Sequence, residues 1–341
     1  MKKIVYTLGF ALLAASCSED YMDWSASQTN PQEDAKSVSL ETATAADVDY
    51  AALDSSLVQI FKPTITAVDE CSTTFQVTLW NESKSANGTL AANDSGYVVA
   101  DELKTVVENL YGKYPVARKL LLDIVGYSLI NGQSIKTTAE DSVNVTLEAP
   151  HFGEFIYEIG NESGWSTSHA LRCPNFDGKY QGYYWMDGEY KFKPNADNWD
   201  GDWENDGEGK IADNGGPNMP GLAAGFYQID VNLADMTYAA TLVESISIIG
   251  TANGNWDTDT DLTYNQATGA WEVTTTLNAG EMKFRMNHDW AISWGGANGD
   301  GTNYGDLTQH DGANLQVAAG TYLVQLYIQH EGANKVVLTA Q

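Results

Sequence analysis

Positive charge is scarce in this chain. Only 18 of its 341 residues are Lys or Arg, against 46 Asp or Glu, and the net charge is −28. A polyanion must be met by clustered cations, so nucleic acid is excluded as a partner. The three cysteines, Cys17, Cys71 and Cys173, support no disulfide framework and no zinc spacing. Cys71 and Cys173 read as small buried hydrophobes in different domains. Five histidines (His151, His169, His288, His310, His330) form neither a triad nor a metal spacing. No motif calls for a cofactor. The apolar stretch Ile4–Leu13 is ten residues long, and a membrane-spanning helix needs about 20.

That stretch is instead a targeting segment. Lys2 and Lys3 precede it, and Ala14-Ala15-Ser16-Cys17 closes it. Small residues leading into a cysteine read as a lipobox, with Cys17 lipidated as the first residue of the mature chain. Behind it, Ser18-Glu19-Asp20-Tyr21-Met22-Asp23 is an acidic cluster, and residues 18–37 are polar without apolar period, as in a flexible tether.

The remaining chain is expected to be all-β, as tandem β-sandwich domains. A first domain over 38–149 has alternating strands at Thr73–Leu79 and Val143–Leu147. Between them Leu103, Val106, Val107 and Leu110 fall at helical spacing, behind Asp101 as N-cap and ahead of Gly112. Two repeats follow, 150–244 and 245–341. Ile159-Gly160, Trp165, Gly188–Lys193, Trp199, Trp203 and Ala223–Tyr227 recur as Ile249-Gly250, Trp256, Gly280–Arg285, Trp290, Trp294 and Ala318–Tyr322, at an offset of 90 to 95. Strand alternation, as in Trp271–Leu277, with Asn-Gly, Asp-Gly and Gly-Gly turns between, predicts a compact sandwich for each copy that folds by itself.

What recurs includes tryptophans and cations in polar, Gly-rich surroundings. A pyranose offers apolar C–H faces that stack on aromatic rings and hydroxyls that need charged or planar partners. In the second repeat Trp256, Lys283, Arg285, Asn287, Trp290 and Trp294 supply that set. Lys283 and Arg285 lie two apart and share a strand face, while Met282, Phe284 and Met286 turn inward. In the first repeat Trp165, Lys191, Lys193, Trp199 and Trp203 take the equivalent places. Trp165, Trp256, Trp290 and Trp294, flanked by Asn, Asp, Gly or Ser, are expected to be exposed; Trp185 and Trp271, in clean alternation, are expected in the core.

Lipobox, acidic cluster, the run Glu102–Pro115 and the ordered repeat landmarks together resemble the SusE/SusF family, the surface glycan-binding lipoproteins of Bacteroides-type starch utilisation systems. The resemblance implies an immunoglobulin-like first domain and two carbohydrate-binding-module-like repeats. It implies non-catalytic binding of starch or another α-glucan at the cell surface, with an aromatic platform beside a Lys or Arg. The chain would then be attached to the outer membrane by its lipid, with the transporter and other lipoproteins of the same uptake system as partners.

Two rival readings stand beside it: a structural or adhesion subunit that binds another protein of the complex, and a glycoside hydrolase. The latter needs two carboxylates across a cleft, and no acid recurs beside a platform in both copies. Separately, Asp202, Glu204, Asp206 and Asp213 approach the one-three-five-twelve spacing of a calcium loop. Glu at the third place, Asp at the twelfth and the lack of flanking helices favour a solvated acidic loop there.

Overall fold

A computed structural model describes residues 37–130, 132–195, 200–213 and 215–341. Cys17, the acidic cluster and most of the tether therefore lie outside the described residues, as does Trp199. The fold is all-β, with one α-helix among the described residues.

The first group of elements is β1 (Val38–Thr44), β2 (Val48–Asp49), β3 (Leu57–Gln59), β4 (Phe61–Ala67), β5 (Ser72–Trp80), β6 (Asn87–Ala92), β7 (Tyr97–Val99), α1 (Ala100–Tyr111), β8 (Arg118–Ile130) and β9 (Gln133–Thr146). A five-stranded sheet in the order β2-β9-β8-β5-β6 is joined by the pairs β1–β4 and β3–β7. Alternation in β5 drives Phe75, Val77 and Leu79 into the core, where Phe61 meets Phe75 edge-on at 5.2 Å. Helix α1 adds Leu103 and Val107, one turn apart, to the same cluster. Its N-cap is Val99, with no side-chain cap, so Asp101 acts within the first turn, where a carboxylate favours the helix dipole. Gly112 closes it at φ 74°, a conformation that glycine adopts without steric cost.

The second group comprises β10 (Phe155–Gly160), β11 (His169–Arg172), β12 (Lys179–Lys193), β13 (Glu204–Asn205), β14 (Ile211–Ala212), β15 (Met219–Asn232) and β16 (Thr237–Leu242). Its main sheet runs β10-β11-β12-β15-β16, and β13–β14 is a small separate hairpin. The third comprises β17 (Ile246–Gly250), β18 (Asn255–Asn265), β19 (Ala270–Leu277), β20 (Gly280–Met286), β21 (Ser293–Gly296), β22 (Leu307–Thr308), β23 (Leu315–Val317), β24 (Gly320–Tyr327) and β25 (Lys335–Ala340). Strand β18 turns the corner of this sandwich: up to Leu262 it pairs with β17, and from Thr263 with β19.

The two repeats are not independent bodies. Successive side chains of β12 alternate between two clusters. Tyr180, Tyr184 and Met186 enter the core of their own repeat, while Tyr183 and Trp185 pack against that of the next. Phe226 of β15 joins them, meeting Trp271 edge-on at 5.5 Å, and Trp185 stacks on Tyr264 at 5.4 Å. The sheet is thus covered on both faces, which explains the unbroken apolar run Tyr183–Met186. Arg172 ties all three groups together. Its Nε donates to Glu154 Oε1 at 2.9 Å, one terminal nitrogen to the Glu331 carbonyl at 2.7 Å, and the other to Tyr114 Oη at 3.3 Å. The expectation that each repeat folds by itself overlooked this shared seam.

Candidate ligand-binding face

In the second repeat three strands set one polar row side by side. Ser247 of β17 pairs with Arg285 of β20 on one side and Asp261 of β18 on the other. Arg285 is gripped at two points by Asp259: Nε to Oδ1 at 2.8 Å and a terminal nitrogen to Oδ2 at 2.5 Å. The Ser247 hydroxyl, itself fully buried, donates to the same carboxylate at 2.5 Å. The Arg285 guanidinium holds the Asp259 carboxyl below the usual range, with help from Ser247. Fork-to-fork pairing of this kind fixes the guanidinium plane. That plane lies over the Trp290 ring, 5.0 Å from its centroid, and Trp256 meets Trp290 at 6.0 Å and 42°.

Trp290 is 48% exposed and Trp256 partly so. The two rings form an open, bent apolar surface with a charged edge. A tight turn projects Trp290: Asn287 and His288 both have positive φ (53° and 55°), and Asp289 N closes on the Met286 carbonyl at 3.0 Å. Asn287 Oδ1 secures that turn by accepting from the backbone N–H of Glu244 and Ser245. His288 Nε2 lies 2.6 Å from Asp261 Oδ1, and the bond raises the imidazole pKa.

Several expectations are corrected here. Trp294 is fully buried: β21 pairs it with Phe284, and it meets Tyr183 edge-on at 5.6 Å, so it is a core residue and no part of a platform. Asn287 carries the turn with its side-chain oxygen rather than offering that oxygen to a ligand. Arg285 is 8% exposed and acts at the edge of the platform, while Lys283, two residues earlier on the same strand face, is half-buried. Asp259, Asp261 and His288 were missed. The series Asp257-Thr258-Asp259-Thr260-Asp261 signalled carboxylates on one strand face. However, the pairing slips between Ile248↔Thr260 and Gly250↔Asn255, so strict alternation does not locate Trp256 beside them.

The first repeat is built differently at the matching positions. Ile159 pairs with Lys191 as Ile249 does with Lys283, and Phe192 bridges Trp203 as Phe284 pairs with Trp294. On that register Lys193 stands for Arg285, Tyr157 for Ser247 and Ala170 for Asp261. Lys193 is 5% exposed rather than displayed, and Trp203 packs half-buried on the repeat's own core. Lys191 Nζ contacts Asp202 and lies 3.5 Å from Glu204 Oε1. Trp165 is open to solvent at 38% exposure, presented by a turn in which its φ is 57°. Of the acidic residues, Asp202, Glu204 and Asp213 come together, whereas Asp206 lies outside that group, in the turn of the β13–β14 hairpin.

A cavity of about 440 Å³ opens at the junction of the repeats, away from the tryptophans. Its polar groups hold one another: Gln181 Nε2 donates to Asp230 at 2.8 Å, Gln309 donates to Gln181, and Tyr183 Oη donates to Gln309 at 2.8 Å. We read it as the seam between modules, because those hydrogen-bonding groups already have partners.

Fold and site together define a tandem β-sandwich protein with one aromatic, charge-edged face. Residues 17–149 match the family described as outer membrane protein SusF, N-terminal domain. The fold is also similar to the crystal structure of SusF from Bacteroides thetaiotaomicron, at 15% identity and a TM-score of 0.43, over 89% of this chain and 76% of that one. That likeness supports no assignment of individual residues. A comparison with curated proteins gives no match.

Proposed function

We propose that this protein holds polysaccharide at the cell surface without cleaving it, as an outer-membrane lipoprotein anchored through Cys17. The observation that carries the reading is the Trp256–Trp290 surface edged by the clamped Arg285. Its flat apolar rings suit the C–H face of a pyranose, the clamped Arg285 holds the Trp290 ring, and the half-buried Lys283 on the same strand face suits sugar hydroxyls. An α-glucan is the expected ligand by family type. Trp165 is a secondary contact, because the cations near the first repeat's platform position are buried or already engaged. On the layout expected from the sequence, 38–149, 150–244 and 245–341, the Trp256–Trp290 face lies in the last unit, and sugar binding is proposed chiefly there.

The electrostatics favour binding over hydrolysis. A general acid needs a raised carboxyl pKa, yet Asp259 is held low by Arg285. Burial does push the Glu158 carboxyl up, but that group is fully buried, 2.6 Å from His169, in the first repeat and not at the Trp256–Trp290 face. The experiment is a glycan panel with the full-length protein, reading retention and reducing-sugar release together. Retention on α-glucan without sugar release is expected. Release of reducing ends, or no retention on any glycan, would overturn the proposal.

A further inference from the structure

The hairpin β13–β14 folds back beside the end of β12 and brings Asp202, Glu204 and Asp213 together. One carboxylate oxygen from each lies within 4.8 Å of the others. Calcium binds oxygen at about 2.3–2.6 Å, so two ligands on opposite sides of one ion stand roughly 4.6–5.2 Å apart. The spacing of the three oxygens therefore suits a single ion. Spacing alone would be no more than an acidic cluster. Glu204 adds an independent sign: it is only 3% exposed, and among the described residues its Oε2 has no hydrogen-bond partner. Asp202 is nearly as enclosed, its side chain 13% exposed. A buried carboxylate oxygen left without a donor is costly.

Charge points the same way. Lys191 supplies one positive charge to this group, through its contacts with Asp202 and Glu204. Three carboxylates against one ammonium leave two negative charges in a partly desolvated pocket, the charge that a divalent cation matches. We infer that Asp202, Glu204 and Asp213 form a calcium site, which pins the β13–β14 hairpin to β12. With three carboxylate ligands and a neighbouring ammonium the affinity is weak, on the order of 0.1–1 mM as in extracellular calcium modules. Sugar binding in the second repeat is independent of this site, so either can fail alone.

The test uses the full-length protein stripped with EDTA. Terbium, a calcium-sized luminescent ion, is added and excited through tryptophan, because Trp203 sits in sequence between two of the ligands. Emission that calcium competes away and magnesium does not is expected. Trp203→Phe should lower that emission while calorimetry with calcium chloride still shows binding. Glu204→Gln should weaken calcium binding at least roughly tenfold, through loss of one of three charged ligands, and Asp206→Asn should leave it unchanged. Asp213→Asn, at the exposed end of the cluster, provides the same test if Glu204→Gln does not fold. No calcium-displaced emission, or wild-type affinity in both ligand variants, would overturn the site.

Discussion

Replacing Trp290 by alanine separates the platform's role in binding from its role in folding. A tryptophan presents about 250 Å²; with 48% exposed, roughly 120 Å² is open. A sugar ring covers one face, about half of that, and at ~25 cal/mol per Å² the covered area is worth about 1.5 kcal/mol. That converts to about a tenfold rise in Kd. Folding should suffer less. The lost contacts are one cation–π pair between the half-exposed ring and the buried Arg285, worth about 1 kcal/mol, and the tilted contact with Trp256. Trp290→Phe, which keeps a smaller ring, should fall between. Calorimetry against the glycan retained best by the wild type gives Kd, and urea unfolding gives stability. A Kd within twofold of wild type, in a variant that folds normally, would show that the platform does not hold the sugar.

Asp259→Ala leaves the Arg285 guanidinium and the Ser247 hydroxyl buried without their partner, and should cost about 2 kcal/mol in urea unfolding. The double change with Arg285→Met should recover most of that loss, and a double variant no more stable than the single would refute the clamp. Asp261→Asn should lower the titration midpoint of His288, followed by NMR of the imidazole. Because the folded pKa is raised, this pair stabilises fully below the unfolded value of about 6.5. The contribution is lost as pH rises through the folded value, and an unchanged midpoint in the variant would remove the pair from the account. Phe226→Ala opens the seam between the repeats and should cost about 3–5 kcal/mol, lowering one joint calorimetric transition for both repeats. Separate transitions with only one displaced would show that the repeats fold apart.

Much of the fold was legible because a strand facing one core writes a period of two. Residues 282–286 placed Met282 and Phe284 inside and Arg285 on the other face, where β20 has them. The seam was harder to read. A strand covered on both sides is apolar on both, and Trp185, expected in the core, packs with Tyr183 against the neighbouring repeat while Tyr184 and Met186 enter their own. At the site, Trp256 and Trp290 were recognisable from their polar flanks. Trp294 carried the same flanks, yet its pairing with Phe284 draws it inside. The carboxylates Asp259 and Asp261 were hidden by a slip in strand pairing, which a pattern of fixed period cannot register.

The common core of the repeats bears on how a long polymer would be held under the proposed function. Two freely jointed platforms gain avidity on almost any chain, since each searches for the second hold within its tether's reach. Mounted on one shared aromatic wall, the rings at Trp165 and at Trp256 and Trp290 keep a set distance and direction. Under the proposed function, such a pair would reward a glycan whose own coil presents sugar faces at that interval, and selectivity among polysaccharides would be a matter of pitch as much as of composition.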